Sequence, residues 1–405
     1  MPEDLVSTAE TAALLGVRPE TVYAYVSRGL LTRVAETSRH QGSRFHRDQV
    51  LALRDRRRRP RAGVFEVAVE TAISEVTAEG TLSYRGHDLA DLLDGRSYES
   101  VAELLWQSGP LDWTPDAVSR QAAAATRCRP EAPPTNRVRL AVATLACLVP
   151  VPADPLLPAL PGAGVRALNA AVDAVDPHRE PAAGPLAARL AAGLGTTDTE
   201  LIEAALICLA DHELATSTIA ARVAAGARSG PYEVLLAGLA AIAGPRHGSA
   251  SLPARDLLVA VRRDGVESAL ARSAPPGTPG PPPGFGHLVY QAPDPRGVLL
   301  GELIAERAPD LVETVDRLAL EVLRTHSLWP NVDLALAALE LALDLPPGSG
   351  ATIFSIARIA GFLAHAQEES LYPLRFRPRA SYVGTVSPAA AAAEPADPDS
   401  ANSAG

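Results

Sequence analysis

The stretch from residue 201 to residue 224, LIEAALICLADHELATSTIAARVA, decides the fold class of this chain. Its first half, Leu201 to His212, predicts an apolar helix that ends in an acid and a histidine. Further segments with helical patterns follow at residues 233–242, 298–306, 311–325 and 334–343. No sustained alternation of apolar and polar residues indicates a sheet, so we expect an all-α body across residues 63–384.

The amino-acid composition limits the fold and excludes several classes of catalytic site. The 405 residues are enough for two or three domains and a large buried core. Apolar residues make up 47% of the chain and aromatic residues only 4%, so we expect Ala, Leu and Val in closely packed helices. All 37 basic residues are arginines. The absence of lysine excludes a Schiff-base lysine, a covalent pyridoxal phosphate site and the phosphate-loop lysine of Walker-type nucleotidases.

Cysteine usage and hydropathy indicate the compartment. Cys128, Cys147 and Cys208 are widely separated and indicate neither a disulfide framework nor a zinc site, so we expect no bound metal. The first residues are acidic, where a secretory signal is basic. The most apolar run, Leu140 to Leu148, is too short to cross a bilayer. We therefore expect a soluble cytoplasmic protein that does not bind membranes.

Residues 1–62 differ in charge from the rest of the chain. They contain twelve arginines and seven acidic residues, a net of +5, whereas the whole chain carries −10. Ser7 and Glu10 have the spacing of a capping box before a short helix, and Pro19 can open a second helix that ends before Gly29. The pattern then predicts two strands, Leu31 to Glu36 and Ser43 to His46, and a helix from Asp48 to Arg59.

The segments TAETAALLGVRPETVYAYVSRGLL and SRFHRDQVLAL resemble the winged helix-turn-helix of MerR-like and excisionase-like DNA-binding proteins. The resemblance implies that the second helix enters the major groove while arginines of the wing approach phosphates. The candidate DNA-binding residues are Arg18, Thr21, Tyr23, Arg28, Arg39, Arg44 and Arg47. A dimerisation or docking module without DNA binding is the alternative.

Proline and glycine mark the remaining boundaries. Residues 149–164 and 275–286 predict irregular loops. Residues 385–405 are rich in Ala, Pro, Asp and Ser without periodicity, and they predict a disordered tail. We therefore expect a first domain at 1–62, a helical domain at 63–384 and a tail at 385–405.

Several polar residues stand in contexts that packing alone does not explain. His247 and His287 are flanked by glycines, which let a backbone approach a bound molecule, and His212 follows the apolar helix. Asp333 opens another apolar helix, where it is either a helix cap or a functional acid. Arg358 lies in an apolar helix and needs an anion, which a structural acid or a substrate can supply. The cations that can hold carboxylates bidentately are Arg296, Arg358 and Arg379.

Seven motifs occur in one order across residues 66–384: ETAISEVTAEGTLSYRGHDLADL, DHELATSTIAARVA, GPRHGSA, GFGHLVYQAPDPR, WPNVDLALA, IARIAGFLAHAQE and RPRASYVG. Together they resemble the citrate synthase family, although residues 110–200 contribute nothing to the resemblance. The family fold consists of a large and a small helical lobe. The resemblance implies a small lobe at about residues 248–338 that closes over the large one, in a homodimer.

The resemblance also implies the roles of the site residues. His247 and Asp333 would act on acetyl-CoA, and His287 on the carbonyl group of oxaloacetate. Oxaloacetate would be bound by His212, Arg296, Arg358 and, from the second subunit, Arg379. A thioester methyl is a very weak acid, so a carboxylate base needs a neutral donor at the enolate oxygen. The products would be citrate and CoA, with acyl-CoA as co-substrate and no permanently bound cofactor.

Some positions depart from the family pattern. Ala215, Ser249, Leu288 and the pair Ala337–Ala338 stand where the family usually has Asn, Gly, a basic residue and a Ser-Gly pair. These positions bear on the affinity for oxaloacetate and the CoA phosphates. Two alternatives to citrate synthesis remain: 2-methylcitrate synthesis from propionyl-CoA, and a DNA-binding regulator whose body senses a 2-oxo acid or an acyl-CoA.

Overall fold

The chain divides into two compact units, residues 1–70 and residues 71–405. This computed structural model describes residues 5–15, 17–27, 31–34, 43–47, 49–51, 69–77, 79–150, 160–273 and 280–371. The predicted tail at 385–405 lies outside the described residues. So do three of the predicted site residues, Arg28, Arg39 and Arg379.

The first unit pairs two helices with a small antiparallel sheet. Its elements are β1 Leu5–Ser7, α1 Thr8–Leu15, α2 Pro19–Ser27 and β2 Arg44–His46. The predicted capping box is present, because Glu10 Oε2 accepts the Ser7 backbone N–H at 2.8 Å and the Ser7 hydroxyl lies 3.3 Å from the Glu10 N–H. The core contains Val6, Val22 and Phe45, all almost completely buried.

Two predictions for the first unit need correction. Strand β1, which pairs Val6 with Phe45, was not expected from the sequence. The strand predicted from Leu31 to Glu36 is reduced, in its described part, to a single bridge between Val34 and Arg44. Residues 49–51 are helical, and the rest of the predicted third helix lies outside the described residues.

The second unit is mostly helical, as predicted. Its described helices are α3 Leu89–Leu93, α4 Tyr98–Trp106, α5 Ala117–Ala125, α6 Pro134–Leu148, α7 Leu160–Asp173, α8 Leu186–Leu194, α9 Thr199–Leu209, α10 Thr216–Gly226, α11 Pro231–Ile242, α12 Ser251–Asp264, α13 Val266–Ser273, α14 Pro295–Ala305, α15 Pro309–His326, α16 Val332–Ala342 and α17 Ser349–Leu371. A 3-10 turn, Thr126–Cys128, follows α5. None of the described helices is both long enough and apolar enough to cross a membrane.

Several boundaries differ from the sequence pattern for identifiable reasons. Helices α11, α14 and α15 begin at prolines, two or three residues earlier than their apolar patterns predict, because proline suits the first helical turn. Helix α9 ends at Leu209, so Asp211 and His212 follow the helix instead of ending it. The loop predicted at 149–164 is wrong at its end, since α7 begins at Leu160 despite its proline and glycines.

A small sheet precedes the helices and departs from the all-α expectation. Strands β3 Ser74–Val76, β4 Leu82–Tyr84 and β5 His87–Asp88 pair antiparallel in that order. Gly80 and Gly86, at the two turns, adopt positive φ angles of 93° and 81°. Strands of two or three residues are too short for an alternating pattern to be visible in sequence.

Helix α17 is the centre of the second unit. It is 23 residues long, is buried over most of its length, and packs against α9, α10 and α11. Small residues allow this close packing. A Cβ atom at Gly238 of α11 would lie 2.5 Å from the ring of Phe362, and one at Gly164 of α7 would lie 2.5 Å from Trp106. The sequence expectation of closely packed helices with small side chains is confirmed.

Candidate active site

Helix α17 and the end of α9 meet at a glycine. The Gly361 N–H donates to the Ala210 carbonyl oxygen at 3.0 Å, and a side chain at Gly361 would collide with Asp211. Arg358 and His365 lie three residues before and four residues after Gly361, so they share its helix face. The segment after α9 therefore lies against the face of α17 that carries these two side chains.

Arg358 is a buried cation without a hydrogen-bonding anion. Its side chain is fully buried, and Nε, Nη1 and Nη2 have no hydrogen-bond partner among the described residues. The nearest carboxylate oxygen, Oδ1 of Asp211, is 4.0 Å from Nη1, and the Phe354 ring lies 5.0 Å from the guanidinium carbon. A buried guanidinium with unused N–H groups is suited to bind a carboxylate. The sequence left open whether a structural acid or a substrate supplies the anion for Arg358. The structural acid, Asp211, lies nearby but forms no hydrogen bond with the guanidinium.

The loop that carries His287 is joined to the start of α16. Gly284 and Gly286 adopt positive φ angles of 84° and 80°. The Gly286 N–H donates to the Trp329 carbonyl oxygen, and the Asn331 N–H donates to the Gly284 carbonyl oxygen, each at 2.9 Å. These bonds place His287 and the first turn of α16 side by side. The glycines of this loop thus allow close contact with the segment before α16 of the same chain.

The tautomer of His287 follows from its neighbours. Nδ1 accepts the backbone N–H groups of Val289 at 3.0 Å and Tyr290 at 3.2 Å, so the ring proton resides on Nε2. Burial, together with the charge of Arg296, lowers the pKa of His287. The ring is therefore a neutral donor through Nε2, as a polarising group for a ketone requires.

His212 lies against His287. The two ring centroids are 5.2 Å apart, and the Tyr290 hydroxyl lies 3.0 Å from Nε2 of His212. Burial, followed by the charges of Arg296 and Arg358, holds the pKa of His212 well below 6.5. His212 is therefore a neutral polar group at neutral pH, and Tyr290 fixes one of its nitrogens.

His247 lies in the turn between α11 and α12. Its Nε2 is 2.7 Å from the Ser217 hydroxyl, and its ring meets Phe354 edge-on at 5.7 Å. Burial, together with Arg358 and Arg296, lowers the pKa of His247 to about 4. Because Ser217 occupies Nε2, Nδ1 is the nitrogen that remains for a substrate. The adjacent Gly248 is required by the chain itself, since a Cβ there would lie 2.7 Å from the Ile242 carbonyl oxygen.

The structure separates the two interpretations of Asp333. The cap of α16 is Asn331, whose side chain accepts the Asp333 N–H at 3.0 Å. Oδ1 of Asp333 is buried and has no hydrogen-bond partner within the described part of the chain. Burial raises the pKa of Asp333 to about 7, with a smaller contribution from Asp294 and an opposing one from Arg296. Asp333 thus lies in the first turn of α16 with one buried carboxylate oxygen unbonded, and a carboxyl group with a pKa of about 7 is chemically suited to accept a proton at neutral pH.

Arg296 is the common neighbour of the site. Nε donates to Oδ1 of Asp294 at 2.9 Å and Nη2 donates to Oδ2 at 2.6 Å, and both side chains are buried. Asp294 Oδ2 also accepts the Val332 N–H at 3.2 Å, which ties this pair to α16. The charge of Arg296 acts on each of the other described candidates, which are His212, His247, His287, Asp333 and Arg358. The structure thus brings six of the seven predicted residues together, and Arg379 lies outside the described residues.

The sequence analysis missed four residues around this site. Ser217, Tyr290, Asp294 and Asp211 contact the predicted side chains, and all four lie inside the quoted motifs. Asp294 had a recognisable signal, because an acid two residues before an arginine at a proline-initiated helix can pair with it. The other three contacts join distant segments and left no local signal.

An apolar cavity of about 520 Å³ lies between α14, α15 and α16. Its lining includes Val298, Leu320 and Trp329, and it also reaches Asp294 and Asn331 at the edge of the polar site. Nowhere in the described ranges do three or more His, Cys, Asp or Glu side chains form a group that could hold a metal ion.

In the first unit, the described DNA-binding candidates lie in or directly beside helix α2 and strand β2. Tyr23 on α2 is 47% exposed, and the guanidinium of Arg33 lies 5.4 Å from its ring centroid. Arg18 and Arg47 are exposed, whereas Thr21 and Arg44 are half-buried.

Comparison with known proteins identifies the family of the second unit. The model of the citrate synthase C-terminal domain family matches residues 64–379. The 2-methylcitrate synthase of Shewanella oneidensis and citrate synthase 2 of Bacillus subtilis are each 28% identical, over 79% and 78% of this chain and 93% and 94% of their own lengths. The citrate synthase of Synechocystis is 30% identical over 154 residues, and the match spans 37% of that protein. The chain belongs to the citrate synthase family.

Solved structures support the same fold. Citrate synthase from Thermoplasma acidophilum, in a ternary complex with carboxymethyl coenzyme A and oxaloacetate, superposes with a TM-score of 0.70 at 22% identity. The alignment covers 81% of this chain and 97% of that one. The Thermotoga maritima enzyme gives a TM-score of 0.65 over 79% of this chain. The expectation of a citrate synthase fold is confirmed for the second unit.

Proposed function

We propose that this protein condenses an acyl-CoA with oxaloacetate and releases CoA, as its relatives' names describe. The observation that carries the proposal is Asp333, whose Oδ1 is buried and unbonded and whose pKa is raised to about 7, in the same site as the Arg358 guanidinium, which has no hydrogen-bond partner among the described residues. A base for a weak carbon acid and a cation for a carboxylate are two of the groups that this reaction needs.

The proposed chemistry begins on the acyl-CoA. The Asp333 carboxylate takes a proton from the carbon next to the thioester, and the developing enolate oxygen accepts a hydrogen bond from Nδ1–H of His247. In this step the Ser217 hydroxyl donates a hydrogen bond to Nε2, which keeps the ring proton on Nδ1. A neutral imidazole suits this role, and the pKa of His247, lowered to about 4, keeps the ring uncharged at neutral pH.

The second half of the reaction uses the other side of the site. The enolate carbon attacks the ketone of oxaloacetate, whose developing alkoxide accepts a hydrogen bond from Nε2–H of His287 and takes up a proton equivalent to the one that Asp333 removed. Arg358 and Arg296 hold the two carboxylates, and His212 contacts the same substrate. Water then hydrolyses the thioester of the citryl-CoA product to give citrate, free CoA thiol and a proton. Closure of a small lobe at about residues 248–338 would exclude water until the carbon–carbon bond has formed.

The departures from the family pattern have structural counterparts. Ala215 is the N-cap residue of α10 and makes no side-chain cap bond. Its methyl group cannot form the hydrogen bonds that the amide of the usual asparagine could form at this position. Leu288, where the family has a basic residue, is fully exposed beside His287. We infer weaker binding of oxaloacetate and of CoA phosphates than in relatives, with the loss of one hydrogen bond corresponding to about 1–3 kcal/mol.

The direct test is release of free thiol from acetyl-CoA and from propionyl-CoA in the presence of oxaloacetate. Wild-type protein should release thiol with at least one of them, and the ratio of the two rates separates citrate from 2-methylcitrate synthesis. Asp333→Ala should remove thiol release while leaving oxaloacetate binding largely in place, because the base acts on the other substrate. A variant that keeps most of its turnover would exclude Asp333 as the base.

We also propose a homodimer with a composite site, in which Arg379 serves the neighbouring subunit. His247→Ala protomers mixed with Arg379→Ala protomers should then regain activity, because one site of each hybrid dimer carries neither lesion. Random mixing limits the recovery to about a quarter of wild-type activity. Exchange of protomers without any gain would show that Arg379 does not act across the interface.

For residues 1–62 we propose DNA binding, on the basis of their net charge of +5 and the paired helices α1 and α2. Retention on DNA should weaken steeply as salt increases, because bound counterions are released. Deletion of residues 1–62 should abolish retention at low salt. Retention that survives this deletion would contradict the proposal. Wild-type protein that binds DNA and oxaloacetate but releases no thiol would favour the regulator instead.

A further inference from the structure

A chain of mostly buried polar side chains begins next to Arg358 and consists of residues outside the predicted site set. It contains Asp211, His365 and Arg222, and it ends at Glu368 and Glu369 on the last turns of α17. None of these residues is needed for the proton transfers proposed above. Their burial requires another explanation, because buried charges are costly unless they are paired.

Asp211 lies where it attracts Arg358 without using its N–H groups. Oδ1 is 4.0 Å from Nη1 of Arg358, which is within range of charge attraction but too long for a hydrogen bond. Oδ2 accepts the Ser74 hydroxyl at 2.5 Å and lies 3.2 Å from Nε2 of His365. Asp211 therefore bonds on the side away from Arg358 and leaves the guanidinium donors available.

His365 is held in one tautomer. An Arg222 Nη1 group lies 3.0 Å from its Nδ1, and a guanidinium has donors only, so Nδ1 must accept. The ring proton is then on Nε2 and is donated to Asp211. Arg222 is itself fixed, because it donates to Glu368 at 2.7 Å and to Glu369 at 3.0 Å.

We propose that Asp211 and His365 are positioning residues that hold the Arg358 guanidinium ready for a substrate carboxylate. The inference rests on the proposed function, since it names oxaloacetate as the source of that carboxylate. An arginine side chain has several rotatable bonds, and ordering it before binding removes that entropic cost from the binding step. Asp211 supplies the attraction, and His365 with Ser74 keeps Asp211 from rotating toward Arg358 and occupying its donors.

Two substitutions of His365 separate positioning from packing. In His365→Gln the side-chain amide overlies Nε2 and can still donate to Asp211. In His365→Asn the amide overlies Nδ1 and that donor is lost. We expect the dissociation constant of oxaloacetate, measured by calorimetry on the full chain, to rise about tenfold to a hundredfold in His365→Asn and by no more than about threefold in His365→Gln. The KM for acyl-CoA should stay within about twofold in both variants.

Asp173→Asn is the matched control. Asp173 forms another buried ion pair, with Arg189 at 2.6 Å. Loss of this pair should lower the melting temperature without weakening the binding of oxaloacetate. Equal oxaloacetate affinity in wild type and His365→Asn overturns the positioning role, and so does equal weakening in the Asn and Gln variants. Wild-type protein that binds no oxaloacetate overturns both this inference and the proposed function. Selective weakening in His365→Asn supports them.

Discussion

Replacing Asp333 with asparagine should stabilise the protein at neutral and alkaline pH. Burial raises the pKa of Asp333 from 3.8 to about 7, so the native state binds this proton more tightly than the unfolded chain does. For such a group, the free energy of unfolding is highest below pH 3.8 and falls as the pH rises to about 7. The fall is about 4 kcal/mol, because one pKa unit corresponds to about 1.4 kcal/mol. Asparagine does not titrate and therefore avoids this loss.

The measurement is urea unfolding of the wild type and Asp333→Asn near pH 5 and near pH 8. Between these conditions the stability of the variant relative to the wild type should increase by about 2–3 kcal/mol. Both proteins share the histidines, whose lowered pKa values act in the opposite direction, so the difference isolates Asp333. A difference in stability that does not change with pH would refute the raised pKa assigned to the Asp333 carboxyl group.

Three further predictions concern the same site. Wild-type kcat/KM should rise with pH up to about 7, because only the ionised Asp333 accepts a proton; a flat profile between about 5 and 8 would contradict this. Ser217→Ala removes the 2.7 Å contact to His247 and should lower kcat about tenfold to a hundredfold while the KM for oxaloacetate is unchanged, as steady-state assays can check. Gly361→Ala places a carbon against Asp211 and should lower the stability by about 1–3 kcal/mol and weaken the binding of oxaloacetate. The control Gly301→Ala has open space around it and should be neutral or slightly stabilising in thermal melts.

Much of the candidate site was visible in the sequence because it is encoded in short local patterns. His247 and His287 stand between glycines, and Asp333 follows a proline-initiated break, so each residue type and its context lie within a few positions of each other. The helices of the second unit were predicted for the same reason, since helical periodicity is a local property. The strands at residues 74–88 were missed because they are too short to show a pattern.

What the sequence by itself determined was the mostly helical class, the family, and the set of polar residues that could bind a substrate or transfer a proton. Only the tertiary structure decided which of them are free to react. Asn331 and not Asp333 caps α16, and the Asn331 amide also donates to the Gly286 carbonyl oxygen from the neighbouring loop. Asp211 approaches Arg358 without bonding it, because contacts between segments more than a hundred residues apart set this distance. Burial then moves the pKa of Asp333 up and that of His247 down, and burial is a property of the packed chain that no local stretch of sequence contains.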